Sequence, residues 1–419
     1  MNIAIIGGGV SGLTAAYYLH KNHEVTLFEA NGRPGGHTDT HSLRLDGQDV
    51  AVDSGFIVFN EHNYPRFCDM LRELGVQWRD SDMSFSAVNE ATGMEYGAAG
   101  LSRLLAQKRN LLRPDFYRML KDLARFYKEA PRRALEVDTD LTLGEFLRQD
   151  GYSRAFIDNH IVPMACALWS ASARMIEAFP FRFFISFMDN HRMLQLRGRP
   201  QWKVVQGGSQ QYVLRIQAVL GRRVRLSCPA AVVSRCGDSV MVHSERYGAE
   251  NYDAVVFACH SDQALALLKD SDRTEREVLE AIPYQDNLAV VHSDTRVMPS
   301  QRAAWASWNA FIPQQTTQHC SVSYWMNSLQ GLSCETPVMV TLNPTFPIAP
   351  EKIYARRTYA HPVYTREMLA AQARREEING RRNTYFCGAY WGWGFHEDGV
   401  RSALDVVSLI QRRRYGVAA

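Results

Sequence analysis

The chain has no uninterrupted apolar run of about 18 residues, the minimum for a membrane-crossing helix, so no span is expected. It also has no charged leader followed by an apolar signal core. It starts directly on the apolar stretch Ile3 to Ile6, and a cytoplasmic protein is expected, with peripheral contact at the inner face of the membrane as the alternative. The cysteines Cys68, Cys166, Cys228, Cys236, Cys259, Cys320, Cys334 and Cys387 include no Cys-x-x-Cys pair and no Cys/His ligand spacing, which argues for reduced thiols and against a metal site. Charge of one sign is scarce too: 47 Lys and Arg against 44 Asp and Glu leave a net +3, far from the concentrated basic face that nucleic acid requires. No low-complexity tract is present, so disorder is not a theme.

What is present is an ordinary globular composition, 46% hydrophobic and 22% charged, in a chain of 419 residues, too long for one hydrophobic core. Two interleaved domains are the natural expectation. The strand-length run Asn2 to Ile6 feeds Gly7-Gly8-Gly9-Val10-Ser11-Gly12, which satisfies G-x-G-x-x-G; a helical stretch, Leu13 to His20, and a second strand, Glu24 to Phe28, follow. Gly7 allows the tight turn, Gly9 lets a pyrophosphate approach the backbone, and Gly12 lets helix and strand pack closely. The free N–H groups of the helix then face the phosphates. Glu29, closing the second strand, is placed to accept hydrogen bonds from a ribose diol, and its charge would repel a 2′-phosphate, which disfavours NADP.

A classical dehydrogenase would continue into another βαβ repeat. Here Asn31 to Thr38 instead makes a second glycine-rich loop, and short strands follow around Leu43 and Val50 to Val52. Residues 29 to 38 resemble the E-A-x-x-x-x-G-G-R/H-T signature of the flavin amine oxidase superfamily, which includes amine oxidases, protoporphyrinogen oxidases and carotenoid desaturases. The resemblance implies FAD, with Val10, Ser11, Glu29, Ala30, Gly35, Gly36, His37 and Thr38 around it and Arg33 meeting the pyrophosphate. Val52 to Phe56 looks like the family's aspartate-x-glycine turn beside the isoalloxazine ring, which brings in Gly55 and Phe56. Gln206 to Ser209 opens a helix that leads to the strand Arg223 to Leu226, a hairpin around Gly237-Asp238 and the strand Ala254 to Ala258; Ala230 falls where a backbone group contacts adenine. The closing stretch, Tyr385 to Gly388 and Gly394 to Val400, looks like the family's last segment over the flavin, with Gly388, Ala389, Phe395, Glu397 and Val400 as contacts. Cys387 reads as a small packing residue, and non-covalent FAD is expected.

A nearer likeness joins His37-Thr38, Asp53 to Asn60, Ser81 to Ser86 and Cys387 to Gly399 to bacterial flavoproteins known only as NAD/FAD-binding, and to the flavoprotein half of plant cyclopropane-fatty-acid synthases. The fold implied is α/β (α+β overall): a Rossmann-like FAD-binding domain of the flavin amine oxidase type with an inserted mixed helix/sheet substrate domain. The FAD domain would be discontinuous, over 1-60, 204-285 and 376-419, with 61-203 and 286-375 forming the substrate domain. The first insertion reads mostly helical, with Leu71 to Leu74, Phe116 to Tyr127, Leu143 to Arg148 and Phe179 to Met193; the second carries the strands Leu288 to His292, Ser321 to Trp325 and Val338 to Leu342. Around residues 112 to 134, Phe116, Met119, Leu120, Leu123, Phe126 and Tyr127 recur at helical spacing among basic residues. Such a helix either lies on an anionic membrane or packs its apolar face on its own domain.

The chemistry departs from the amine oxidase pattern. The strand Asn287 to Asp294 has no lysine where amine oxidases usually place one, and His292 is the nearest polar substitute. Phe395 stands where a tyrosine is common, and Ala389 follows the closing glycine in place of a carboxylate. His396 is a candidate for flavin hydrogen bonding or proton exchange; a backbone-only contact is the other reading. Trp305, Trp308, Tyr324, Trp325, Tyr390, Trp391 and Trp393 suggest an apolar cavity, although clustered aromatics also build cores. Three functions follow. The first is an FAD-dependent oxidase or desaturase that moves a hydride from a lipophilic small molecule or phospholipid acyl chain to flavin N5, with His396 and His292 as its catalytic candidates. The second is an amine or amino-acid oxidase, and the third a non-catalytic flavoprotein partner of a lipid methyltransferase.

Overall fold

The run Asn2–Ile6 is buried at every position but the first, as a strand covered on both faces must be, and it occupies the centre of a five-stranded parallel sheet. The order is Val224–Arg225, Glu24–Phe28, Asn2–Ile6, Ala254–Phe257, Thr384–Phe386, so three distant stretches of sequence meet in one sheet. Ile3 pairs with Val25 on one side and Ala254 on the other. The computed structural model describes residues 1–98, 100–137, 140–169, 171–195, 198–314 and 320–415. The helix Val10–Leu19 is buried along most of its length between this sheet and its neighbours, and it packs against the closing helix His396–Tyr415. An antiparallel sheet of Ala230–Cys236, Ser239–Ser244 and Gly248–Tyr252 follows the hairpin expected at Gly237-Asp238.

The second body of the fold is a seven-stranded sheet in the order Ile353–Pro362, Tyr284–His292, Met339–Leu342, Ser321–Trp325, Trp308–Ile312, Phe85–Asn89, Met94–Gly97. Its last two strands lie inside the stretch that reads as mostly helical. Phe85–Asn89 shows no alternation of polar and apolar residues, and it becomes a strand because Trp308–Ile312 offers it a parallel ladder, Trp308 opposite Phe85 through Ile312 opposite Asn89.

The basic helix spans Pro114–Glu136, and its apolar face points inward: Phe116, Met119 and Phe126 are fully buried, with the Phe126 ring against Phe146 and Phe156. That apolar face is packed on its own domain. Among the described residues no helix is long and apolar enough to cross a membrane.

Candidate active site

A cavity of about 1570 Å³ runs from the carboxyl edge of the parallel sheet to the seven-stranded sheet. At its first end the wall is main chain. The helix Val10–Leu19 begins at Gly9 with no side-chain cap and no acid in its first turn, so its leading N–H groups are open to an anion. A Cβ on Gly12 would stand 1.8 Å from the Gly7 carbonyl oxygen, and one on Gly7, at φ +106°, would press on Ala258 and Cys259; a Cβ on Gly9 would meet nothing within 4 Å. Gly12 and Gly7 are therefore demanded by packing, and Gly9 leaves open space where a ligand belongs. The Glu29 carboxylate, buried at the end of its strand, accepts from the Gly8 N–H at 2.7 Å and from the N–H and side-chain amide of Asn31 at 2.8 Å each, which aims it into the same end of the cavity.

The second glycine loop lies across the first. The Gly35 N–H donates to Gly8 O, and Gly36 approaches Gly9 so closely that a Cβ there would lie 3.2 Å from the Gly9 Cα. Arg33 lines the cavity, but its guanidinium donates to the Thr38 and Gly36 carbonyls and pairs with Asp39 at 2.8 Å. It shapes the loop. Gly55 lies under this loop, where a Cβ would collide with His37 O, and the Phe56 N–H donates to that same oxygen. Asp53 does not line the cavity: fully buried, it accepts from the Ser209 N–H and hydroxyl, the Thr40 hydroxyl and the Gln330 amide, and burial still pushes its pKa up to about 6. Beside His37 stand His361 and His260, with ring centres 5.2 and 6.1 Å away; burial first, and then its two neighbours, hold His37 well below the ordinary imidazole range.

The far end of the cavity is walled by side chains. Phe187 stacks on His191 at 4.0 Å and on Phe395 at 5.3 Å, Trp169 leans on Phe187 at 4.5 Å, Trp308 meets Tyr324 edge-on at 4.8 Å, and Tyr364 and Trp393 complete the wall. The closing segment turns over this end because Asp398 accepts from the N–H groups of Trp393 and Phe395 and pairs with Arg401. Glu397 points away from the cavity and accepts from the N–H groups of Arg66 and Phe67, which fastens the closing helix to the helix Pro65–Glu73.

Residues 10–293, more than half of the chain, match the family model described as flavin containing amine oxidoreductase. The chain belongs to this family. Amine oxidase A (flavin-containing) of Sus scrofa is 23% identical over 259 residues, covering 58% of this chain and 46% of that protein; the chain spans about half the length of the curated relatives it matches. Among solved structures, wild-type putrescine oxidase bound to putrescine superposes with a TM-score of 0.71 at 14% identity, covering 99% of this chain and 100% of that one. The CLA-producing fatty acid isomerase of P. acnes superposes with a TM-score of 0.66 at 16% identity and 97% coverage of both. At these identities the likeness establishes the mixed helix and sheet fold and no more.

FAD is the cofactor of the flavin containing amine oxidoreductase family, and the residues fit it: an uncapped helix start, a cradle left open at Gly9 and an acid at the end of the second strand. The backbone from Gly9 to Ser11 would hold the diphosphate, Glu29 the ribose diol and Ala230 the adenine. Gly7, Gly9, Val10, Ser11, Glu29, Ala30, Arg33, Gly35, Gly36, His37, Gly55, Phe56, Ala230, Gly388, Ala389 and Phe395 all line the cavity. Gly12, Thr38, Glu397 and Val400 do not; they support the wall from behind. Cys387 is also off the cavity, fully buried, its thiol pushed up to about 12 by burial.

The two catalytic candidates stand differently from expectation. His292 is buried in the seven-stranded sheet, with Nε2 2.7 Å from the Thr341 hydroxyl and Nδ1 accepting from the Asp294 N–H; it does not reach the cavity, because the strand turns that face into the sheet interior. His396 does reach the wall, but its ring lies flat on Phe56 at 3.5 Å and its Nε2 stands 3.0 Å from the Thr38 hydroxyl and 3.2 Å from the Tyr212 hydroxyl. Burial pushes its pKa down to about 3, so the imidazole is neutral at neutral pH. That imidazole is a neutral group held in place by Thr38, Tyr212 and Phe56. Of the aromatics singled out in the sequence, Trp308, Tyr324, Tyr390 and Trp393 line the cavity, whereas Trp305 and Trp325 pack on each other in a separate core and Trp391 is turned inward. Trp169, Phe187, His191, Trp202, Tyr364, His260 and His361 line it without any local signal: they come from separate stretches of the chain, Phe187 and His191 from one helix end and His361 and Tyr364 from one strand end, and only folding brings these stretches together.

Proposed function

We propose that the protein is an FAD-dependent oxidoreductase that removes a hydride from a lipophilic substrate, a fatty-acyl chain being the form its cavity suits. The observation that carries this reading is the far wall, in which aromatic and aliphatic side chains such as Trp169, Phe187, Trp308, Tyr324 and Leu342 stand among a few polar ones, His191, Arg199 and Gln201, with no lysine among the described residues that line the cavity. Bound FAD, held non-covalently, supplies the electron sink for a C–H bond that has no acid or base of its own. The chain's residues do the rest. Phe187, Trp169, Trp308 and Tyr324 exclude water and press a chain toward the turn at Gly55 and Phe56, and His396, neutral and pinned by Thr38 and Tyr212, keeps the closing loop in place.

An amine is the second reading, favoured by the same aromatic faces, which attract an ammonium group, and by the amine oxidases among the relatives. Against it, the acids that reach the cavity are otherwise engaged: Glu29 by Gly8 and Asn31, Asp82 by the hydroxyls of Ser84, Ser307 and Ser328, while Asp286 is exposed. The test is anaerobic. The flavin spectrum of the purified protein is followed on adding phospholipid acyl chains and a panel of amines in separate cells. Bleaching by acyl lipid alone supports the first reading, and bleaching by amines alone replaces it with the second. No bleaching by either, in FAD-loaded protein, moves a non-catalytic partnership with a lipid methyltransferase to the front.

A further inference from the structure

The basic helix buries its apolar face, yet the turn that leads into it leaves apolar side chains in water. Leu112 is 86% exposed, Leu111 47% and Tyr117 51%, and the Tyr117 hydroxyl donates to the Leu111 carbonyl at 2.9 Å, which folds the ring over the turn Lys108–Leu112 and makes one patch of the three. Cations flank it in the sequence, Arg109 also donating to the Gly93 carbonyl. Lys108, Arg109, Arg113 and Lys121 have no acidic partner among the described residues, and only Arg118 is paired, with Asp115 at 2.8 Å. Scattered single leucines on a surface need no explanation, but an apolar wedge flanked by unpaired cations does.

We propose that this wedge docks the protein on the surface of an anionic phospholipid bilayer, Leu111, Leu112 and Tyr117 entering among the headgroups while the flanking Lys and Arg meet lipid phosphates. Charge decides between occupants. A second copy of the chain meeting this patch about a twofold axis would set its own unpaired cations against these. A purely electrostatic partner would leave Leu112 in water. An anionic bilayer takes both the apolar side chains and the cations. The position suits the cavity as well: the same helix continues to Tyr127, whose hydroxyl accepts from Arg199, a residue of the cavity lining, at 3.3 Å. Ten residues separate Tyr117 from Tyr127, about 15 Å along the helix axis. The inference stands independently of which substrate the cavity oxidises.

Flotation of the FAD-loaded protein with phosphatidylcholine vesicles, and with vesicles of phosphatidylcholine and phosphatidylglycerol in a two-to-one mixture, tests it. Binding to the mixed vesicles alone, weakening as salt rises, is the expected result, and both Leu111→Asp with Leu112→Asp and Lys108→Glu with Arg109→Glu should weaken it at least about tenfold. Leu111 and Leu112 are largely exposed, so in the double-leucine variant FAD content and Tm should stay at the parent values. A Leu112→Cys variant carrying an environment-sensitive dye keeps the test decisive if a double variant misfolds: its emission should shift to the blue with mixed vesicles and not with neutral ones. Equal binding to both vesicles, binding to neither, or a sedimentation coefficient showing a dimer that Leu112→Asp dissolves would overturn the proposal.

Discussion

Around the glycine loops the cavity wall is main chain, held by residues that are near one another in sequence; at the far end it is side chains from elements that are hundreds of residues apart. Gly7 to Gly12 and Gly35 to Gly36 touch each other through backbone atoms, whereas Trp169, Phe187, Trp308, Tyr364 and Trp393 meet only through the tertiary fold. A wall of backbone leaves no room for an added atom at Gly7, Gly12 and Gly55, yet is nearly indifferent to which side chains surround it. A wall of rings can be recut one residue at a time. The first end is therefore suited to one fixed ligand and the second to a substrate that differs between relatives.

If that contrast is right, the most damaging change is Gly12→Val, whose side chain must displace the Gly7 carbonyl. Loss of folded protein, by at least about 3 kcal/mol in denaturant unfolding, and complete loss of flavin absorbance are expected. Gly9→Ala sharpens the point, because its Cβ meets open space. The variant should unfold like the parent yet retain FAD at least about tenfold less tightly; unchanged FAD affinity would remove the diphosphate from that position. Glu29→Ala should weaken FAD by about 1.5–3 kcal/mol in a titration of the apoprotein, the range for a hydrogen bond to a charged acceptor. At the other end, Trp393→Ala should keep FAD affinity within about twofold, while substrate-driven flavin reduction in stopped flow slows about tenfold or more. A yellow variant with an unchanged reduction rate would break the comparison.

The smallest expected effect concerns Glu397. Burial pushes its pKa up to about 7, so the folded protein holds that proton more tightly than the unfolded chain does. The contribution to stability is complete below pH 4.5, the ordinary value, and is lost as pH rises through 7. Glu397→Gln should therefore gain Tm relative to the parent between pH 5 and pH 8 and match it at the acid end.

Legibility followed the same division. The first end was readable because its physical demands are local: a turn that excludes Cβ atoms, an uncapped helix and an acid on the adjacent strand all fall within residues 7 to 38. The closing segment was legible through its resemblance to the family's last segment over the flavin. The far wall was not. A tryptophan lining a cavity and a tryptophan in a core have the same local sequence, which is why Trp308 and Trp393 fell on one side and Trp305 and Trp325 on the other. His292 was misplaced for a related reason: being nearest in sequence to the missing lysine does not say which face of the strand it takes. His260 and His361 were missed because each is unremarkable alone and becomes notable only beside His37.

Asp53 has a mechanical consequence. Its carboxylate gathers donors from the hairpin at Thr40, from the start of the helix that follows Ser209, and from Gln330 beside the seven-stranded sheet. Swinging the two bodies of the fold apart would break these hydrogen bonds, which fasten the hairpin, the helix and Gln330 to one buried carboxylate. Asp53 thus rivets the hairpin, the helix and the Gln330 segment beside the seven-stranded sheet together from behind the cavity rather than on its wall.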